Sequence, residues 1–170
     1  MRLHYTKALS LVDSNFKEAG DGTFSGYAAV TGNVDLGDDI ILKGAFSEWL
    51  DKADPSRVRV LWQHDRNSPI GKTLSMREDD NGLAVDGELL LDIQKAQETR
   101  TLVKNNAIDG LSIGFIIDDF SYDNDTRIIK KLSVMEYSFV TFAMNPNALV
   151  NDMKSCKLDT VRDCEHYLRD

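Results

Sequence analysis

The sequence predicts a mostly β fold with a few helices packed around it, an α+β domain dominated by antiparallel strands. Short apolar runs with period-two alternation lie between turn signals, and Asp79-Asp80-Asn81-Gly82 has the chemistry of a hairpin turn. Only three stretches carry apolar residues at helical spacing.

Taken in order, Lys7 to Val12 reads as a strand, Glu18 to Gly22 as a turn and Thr23 to Thr31 as a second strand. Asn33 to Asp39 is an acidic loop. Gly44 to Ala53 places Ala45, Phe46, Trp49 and Leu50 on one side of a short amphipathic helix that Pro55 closes. Arg57 to His64 alternates, which puts Val58, Val60, Trp62 and His64 on one strand face. Gly71 to Arg77 and Leu83 to Leu91 are the strands around the hairpin turn, and Asp92 is a suitable N-cap for a helix from Ile93 to Ala107. Leu111 to Tyr122 and Arg127 to Phe142 are two long strands around Asp123-Asn124-Asp125. A terminal helix from Leu158 to Leu168 follows, so the expected organisation is one domain over 1–150 and a helical extension over 151–170.

Composition narrows the function. A chain of 170 residues fits one domain, and a domain of that size buries roughly 70% of its unfolded surface. The net charge of −8 and sequence pI near 4.8, with no lysine- or arginine-rich stripe, point away from nucleic acid. No apolar run approaches the ~20 residues that cross a bilayer, and the amino terminus soon mixes in Lys7, Asp13 and Lys17, unlike a signal peptide. No membrane association is expected, and the protein reads as cytoplasmic or as resident in a particle assembled there. Cys156 and Cys164 form neither a disulfide framework nor a metal cluster.

Three residues stand out for chemistry. His64 ends an alternating strand, whereas His4 and His166 lie near the termini. Alone it is also what a half-buried structural histidine looks like; a nearby hydroxyl and carboxylate would make it a base. Ser112 lies in Gly110-Leu111-Ser112-Ile113-Gly114, a literal G-x-S-x-G. In α/β-hydrolases that motif follows a strand and opens a helix. Here a helix-like segment precedes it and the strand-like Phe115-Ile116-Ile117 follows, so that family is rejected. What survives is a serine flanked by glycines, where backbone or substrate can approach closely. Glu136 falls in Leu132 to Val140, where period two puts it on the face of Leu132, Val134 and Val140. A carboxylate on an apolar face needs a partner, catalytic or structural. Asp65 is a rival orienter, but next to His64 in a strand it points the other way. A metal site built on His64, Asp65 and the acidic Asp35, Asp38 and Asp39 is short of ligands.

These residues fall within ordered motifs. They include Gly26-Tyr27-Ala28-Ala29-Val30 with Val34-Asp35, Lys43-Gly44-Ala45-Phe46, and Trp62-Gln63-His64-Asp65 with Pro69-Ile70-Gly71. Gly110 to Phe115 and Glu136 to Thr141 complete the set. From about Gly26 to Asn147 the chain resembles the prohead maturation proteases of tailed phages, which are related in fold to the herpesvirus assemblins. The resemblance implies an antiparallel β-barrel of the herpesvirus-protease type. It implies Ser112 as nucleophile, His64 as general base and Glu136 as the acidic third member; assemblins use a second histidine there, which this sequence does not offer. It implies an endopeptidase without metal or cofactor, acting inside the immature capsid in the host cytoplasm. Its partners would be the major capsid protein with its scaffolding region, or a separate scaffold protein, and a homodimer is suggested by the assemblins. Val161 to Asp170 resembles the start of the family's tail, so a chain ending at Asp170 would be trimmed or self-processed. The alternative is a non-catalytic capsid assembly or scaffold protein that retained the fold.

Overall fold

The computed structural model describes residues 6–10 and 22–142. Within them the alternating segments join one eight-stranded sheet. Its elements are β1 (Thr6–Ser10), β2 (Thr23–Val30), β3 (Asp39–Ile41), α1 (Ser47–Leu50), β4 (Arg59–Trp62) and β5 (Asp65–Glu78), then β6 (Gly82–Leu89), α2 (Gln94–Lys104), β7 (Gly110–Asp123) and β8 (Thr126–Val140). The strand order is β1-β7-β8-β4-β5-β6-β2, with β3 also paired to β8, and the sheet curls into a half-barrel. The expected terminal helix, both cysteines, His4 and His166 lie outside the described residues.

The hairpins form where turn chemistry placed them. Asp79 N–H donates to the Gly82 carbonyl at 2.9 Å, and the Asp79 carboxylate accepts from Asn81 N–H, so Gly82 starts β6 opposite β5. Gly82 has φ 152°, and a Cβ there would fall 2.0 Å from the Ala29 carbonyl oxygen, so only glycine fits. Asn124, at φ 52°, lies in the two-residue turn between Asp123 and Thr126.

Several expectations are corrected. The sheet is not purely antiparallel, because β3 and β4 both run parallel to β8. Strand β3 arises at the end of the acidic loop: Ile41 is buried, and Asp39 makes a two-pronged pair with Arg127, Oδ1 to Nε at 2.9 Å and Oδ2 to Nη2 at 2.6 Å. Three residues are too few to show a period. The helix expected over Gly44 to Ala53 is a single turn, α1, flanked by tight turns, and Pro55 opens a 3₁₀ turn, Pro55–Arg57, whose Ser56 N–H is capped by Asp54. Helix α2 starts at Gln94 with Ile93 at its N-cap, so Asp92 does not cap it.

One buried cluster forms the core. Phe24 of β2 meets Tyr137 and Phe139 of β8 edge to face, with ring centroids 6.2 and 4.9 Å apart. Leu111, Ile113, Val60, Ile70, Leu83 and Val85 close around them. Helix α2 adds Ala96 and Val103.

Candidate active site

The site begins with the register between β7 and β8. Leu111, Ile113, Tyr137 and Phe139 belong to the core, so the residues between them face the other side. Ser112 lies directly opposite Ser138, and Gly114 directly opposite Glu136, so these four share that face. The expected position of Glu136 is therefore corrected. Gly114 pairs with Glu136 but Phe115 pairs with Val134, so Met135 is an extra residue in a bulge. The bulge switches parity: Leu132 and Val134 enter the core before it, Tyr137 and Phe139 after it. Glu136 shares its face with Ser138, not with Val134.

Glycine at 114 makes room for that carboxylate. A Cβ on Gly114 would come 2.2 Å from Glu136 Oε1 and 3.0 Å from its Cδ. The flanking glycine of the G-x-S-x-G motif thus admits the Glu136 side chain, a purpose its sequence did not disclose.

His64 arrives from the neighbouring strand. Because β4 runs parallel to β8, with Leu61 beside Ser138 and Trp62 beside Phe139, the turn after Trp62 lies just beyond Phe139, within reach of Ser138 and Thr141. Trp62 and Asp65 pair across a two-residue turn whose central residues, Gln63 and His64, have φ of 51° and 59°. Positive φ at both positions is what a type I′ hairpin needs, and side chains other than Asn, Asp or Gly pay roughly 1–2 kcal/mol each for it. Four hydrogen bonds to β8 and its continuation hold the turn. Gln63 N–H donates to the Phe139 carbonyl at 3.0 Å, and the Gln63 amide bonds Thr141 twice, Nε2 to Oγ1 at 2.6 Å and Oε1 to N–H at 3.3 Å. His64 N–H donates to Ser138 Oγ at 3.0 Å. At about 1 kcal/mol net apiece these are of the same size as the strain. His64 is therefore not on the Val58, Val60 and Trp62 face; the left-handed turn carries its ring over to the face of Ser112 and Glu136.

The resulting contacts form a line. His64 Nε2 lies 2.7 Å from Ser112 Oγ, and its Nδ1 lies 2.7 Å from Glu136 Oε1. A carboxylate only accepts, so Nδ1 carries the proton, and Nε2 of the neutral ring is left to accept the Ser112 hydroxyl. Glu136 Oε2 accepts from Ser138 Oγ at 2.7 Å. Ser112 is 1% exposed, while 26% of the His64 side chain and 15% of the Glu136 side chain face solvent. The line opens to solvent at the imidazole. Such an arrangement can move a proton from a hydroxyl to a ring nitrogen and hold the resulting imidazolium against a carboxylate.

The rivals are occupied elsewhere. Asp65 accepts from Asn67 N–H at 3.0 Å and from the Ser68 hydroxyl at 2.5 Å, and these bonds hold its carboxyl below the usual carboxylate range. Asp35 Oδ1 accepts from Gly37 and Asp39 N–H, both at 2.9 Å, and Asp39 pairs with Arg127. Among the described residues no three His, Cys, Asp or Glu side chains converge as metal ligands. An open groove of about 420 Å³ lined by Trp49, Glu48, Lys131 and Asp118 holds no histidine, and the Ser133 hydroxyl in it donates to Asp118 at 2.6 Å. Its Glu48 is bonded to Lys131 at 2.7 Å. Sequence reasoning missed Gln63 and Ser138. The only available signal was that Ser138 stands two residues from Glu136 on the same strand face.

Comparison with known proteins agrees with this architecture. The family model of the caudovirus prohead serine protease matches residues 10–163. The prohead protease of Enterobacteria phage HK97 is 36% identical over 173 aligned residues, covering 96% of this chain and 76% of that protein. The prohead protease of Escherichia phage T5 is 33% identical over 98 residues, covering 56% of this chain and 46% of its own. The solved structure of the bacteriophage T4 capsid assembly protease shares the fold, with a TM-score of 0.55 at 10% identity, covering 81% of this chain and all of that one. With nearly its whole length matched, the chain belongs to the caudovirus prohead serine protease family and is a protease of capsid maturation.

Proposed function

We propose that this protein is a serine endopeptidase that works through a Ser112-His64-Glu136 triad. The observation that carries the reading is the pair of 2.7 Å contacts made by the two nitrogens of His64, one to Ser112 Oγ and one to Glu136 Oε1. In the first step Ser112 Oγ bonds to the scissile carbonyl carbon while His64 Nε2 takes its proton. The tetrahedral adduct collapses, the C–N bond breaks, and Nε2 returns the proton to the leaving amine. Water then attacks the acyl-enzyme with the same base and frees Ser112. Glu136 keeps the imidazole in the Nδ1–H tautomer and stabilises its charged form. A scaffold protein that had lost catalysis would have no need to hold a histidine in a left-handed turn between a hydroxyl and a carboxylate.

The family supports a substrate inside the prohead, in the host cytoplasm: the scaffolding region of the capsid protein or a separate scaffold, and the chain itself. In this reading residues 1–150 are the protease domain, of the herpesvirus-protease barrel type, and 151–170 begin an extension open to self-cleavage. A homodimer is the assembly the assemblin likeness suggests. No step calls on a metal or cofactor.

A fluorophosphonate probe should label the wild type at Ser112, with peptide mapping as the readout. Ser112→Ala should lose both labelling and cleavage of the co-encoded capsid protein. Undiminished cleavage by that variant would sink the serine mechanism.

A further inference from the structure

We propose that Ser138 is a positioning residue of this site, locking the Glu136 carboxylate and the His64 turn into one unit; this rests on the triad reading above. Ser138 is fully buried on β8. A buried hydroxyl is costly unless bonded, and an alanine would fill a strand position as well without that demand. Both hydrogen bonds of its hydroxyl go to the triad. It accepts His64 N–H at 3.0 Å and donates to Glu136 Oε2 at 2.7 Å.

With the 2.7 Å contact from His64 Nδ1 to Glu136 Oε1, these bonds close a ring: His64 backbone, Ser138 hydroxyl, Glu136 carboxylate, His64 imidazole. Each carboxylate oxygen has its own partner, so the plane of the group is fixed. Without Ser138, Glu136 would keep one hydrogen bond on a flexible side chain that is partly open to solvent. The His64 N–H, strained at φ 59°, would lose its anchor on β8 at the same moment. One hydroxyl thus sets both the acid and the turn that carries the base. Its position directly opposite Ser112 in the sheet registers that ring against the nucleophile.

The test measures the fluorophosphonate labelling rate of the full chain, split into apparent probe affinity and the maximal rate of Ser112 modification. Ser138→Ala should lower the maximal rate about 10- to 100-fold, the equivalent of a hydrogen bond to a charged group, and leave the affinity unchanged. Ser138→Thr, which retains the hydroxyl, should recover most of the rate. The downfield proton resonance of His64 Nδ1–H should move upfield in Ser138→Ala, a change that a loss of packing alone would not produce. In a Glu136→Ala background, Ser138→Ala should cost clearly less than it does in the wild type, because members of one network are not additive and only the anchor on the His64 turn remains to be lost. A wild-type maximal rate in Ser138→Ala, or a loss that adds in full to that of Glu136→Ala, would overturn the proposal while leaving the triad intact. A wild-type rate in Glu136→Ala itself would instead overturn the triad reading and this inference with it. If Ser138→Ala does not fold, Ser138→Cys keeps the volume with a poor donor; the same loss is expected, and full activity overturns the idea.

Discussion

Replacing Gly114 with alanine separates catalysis from stability at this site. The new Cβ would lie 2.2 Å from Glu136 Oε1, 3.0 Å from Cδ and 3.1 Å from Cγ. Ordinary heavy-atom contact is above 3 Å, so the carboxylate must retreat by about 1 Å. Oε1 is bonded to His64 Nδ1 at 2.7 Å, and a retreat of that size takes it beyond hydrogen-bond range. A misplacement of about 1 Å can cost roughly 10²-fold in rate, and complete loss of an orienting carboxylate about 10⁴-fold. The expected fall in kcat therefore lies between those figures. Stability should change little. Gly114 is not among the positive-φ glycines, so its backbone accepts alanine, and the displaced atoms are the far end of a flexible side chain whose main loss is its bond to His64. Loss of glycine's freedom in the unfolded chain even favours the variant by about 0.4–1 kcal/mol. Cleavage or labelling kinetics beside calorimetric unfolding decide the matter. A Gly114→Ala enzyme with wild-type kcat would refute the reasoning, and so would an activity loss that merely follows a lowered Tm.

Two further outcomes are expected. Gln63→Ala and Gln63→Gly both lose the side-chain clamp on Thr141, but only glycine is comfortable at φ 51°. The glycine variant should be the more stable by about 1 kcal/mol in denaturant unfolding, and the reverse order would show that the turn is not strained. Burial pushes the Tyr137 phenol far above its ordinary range, a rise only partly opposed by its contact with Thr73. The folded state therefore keeps this proton after the unfolded chain has lost it, so the stabilising effect is whole below about pH 10 and drains away above it. Over that alkaline range the wild type should lose stability more steeply than Tyr137→Phe, by about 1.4 kcal/mol per pH unit, and equal slopes would count against it.

The parts of the structure legible in the sequence are those with a long period or a distinctive turn. β7, β8 and the Asp79–Gly82 hairpin were readable because long strand-like runs or distinctive turn residues mark them. Three features were not. β3 is too short to show a period, and it pairs with a strand more than eighty residues away. The parallel neighbours of β8 leave no local signature, since only tertiary pairing creates them. The Met135 bulge inverts the face of every residue after it, so the extrapolated period put Glu136 beside Val134 when its true neighbour is Ser138. The site residues themselves were named, but the contacts between them were not. Gln63 and His64 read as a strand end because nothing in their side chains announces a left-handed turn; the bonds that sustain it come from β8.

The bulge explains how one strand serves both the core and the chemistry. Before it β8 turns Leu132 and Val134 inward, and after it Tyr137 and Phe139, so both halves contribute bulky groups to a continuous core. An unbroken strand that sent Tyr137 and Phe139 into the core would turn Val134 out to solvent. One that kept Val134 inside would drive Glu136 and Ser138 in with it, and a carboxylate buried without a partner is among the costliest changes a core can suffer. The extra residue removes that conflict. Met135 is the residue displaced, and it is 54% exposed, so the bulge leaves no apolar gap behind. The acid then stands one residue beyond a bulge and opposite a glycine, where its carboxylate has room. The base, fixed by a clamped turn on the parallel neighbour, has no other carboxylate to meet among its hydrogen-bond partners. The three side chains meet because a parallel strand on one side of β8 and an antiparallel strand on the other each deliver one group to the face that carries Glu136, whatever their order along the chain.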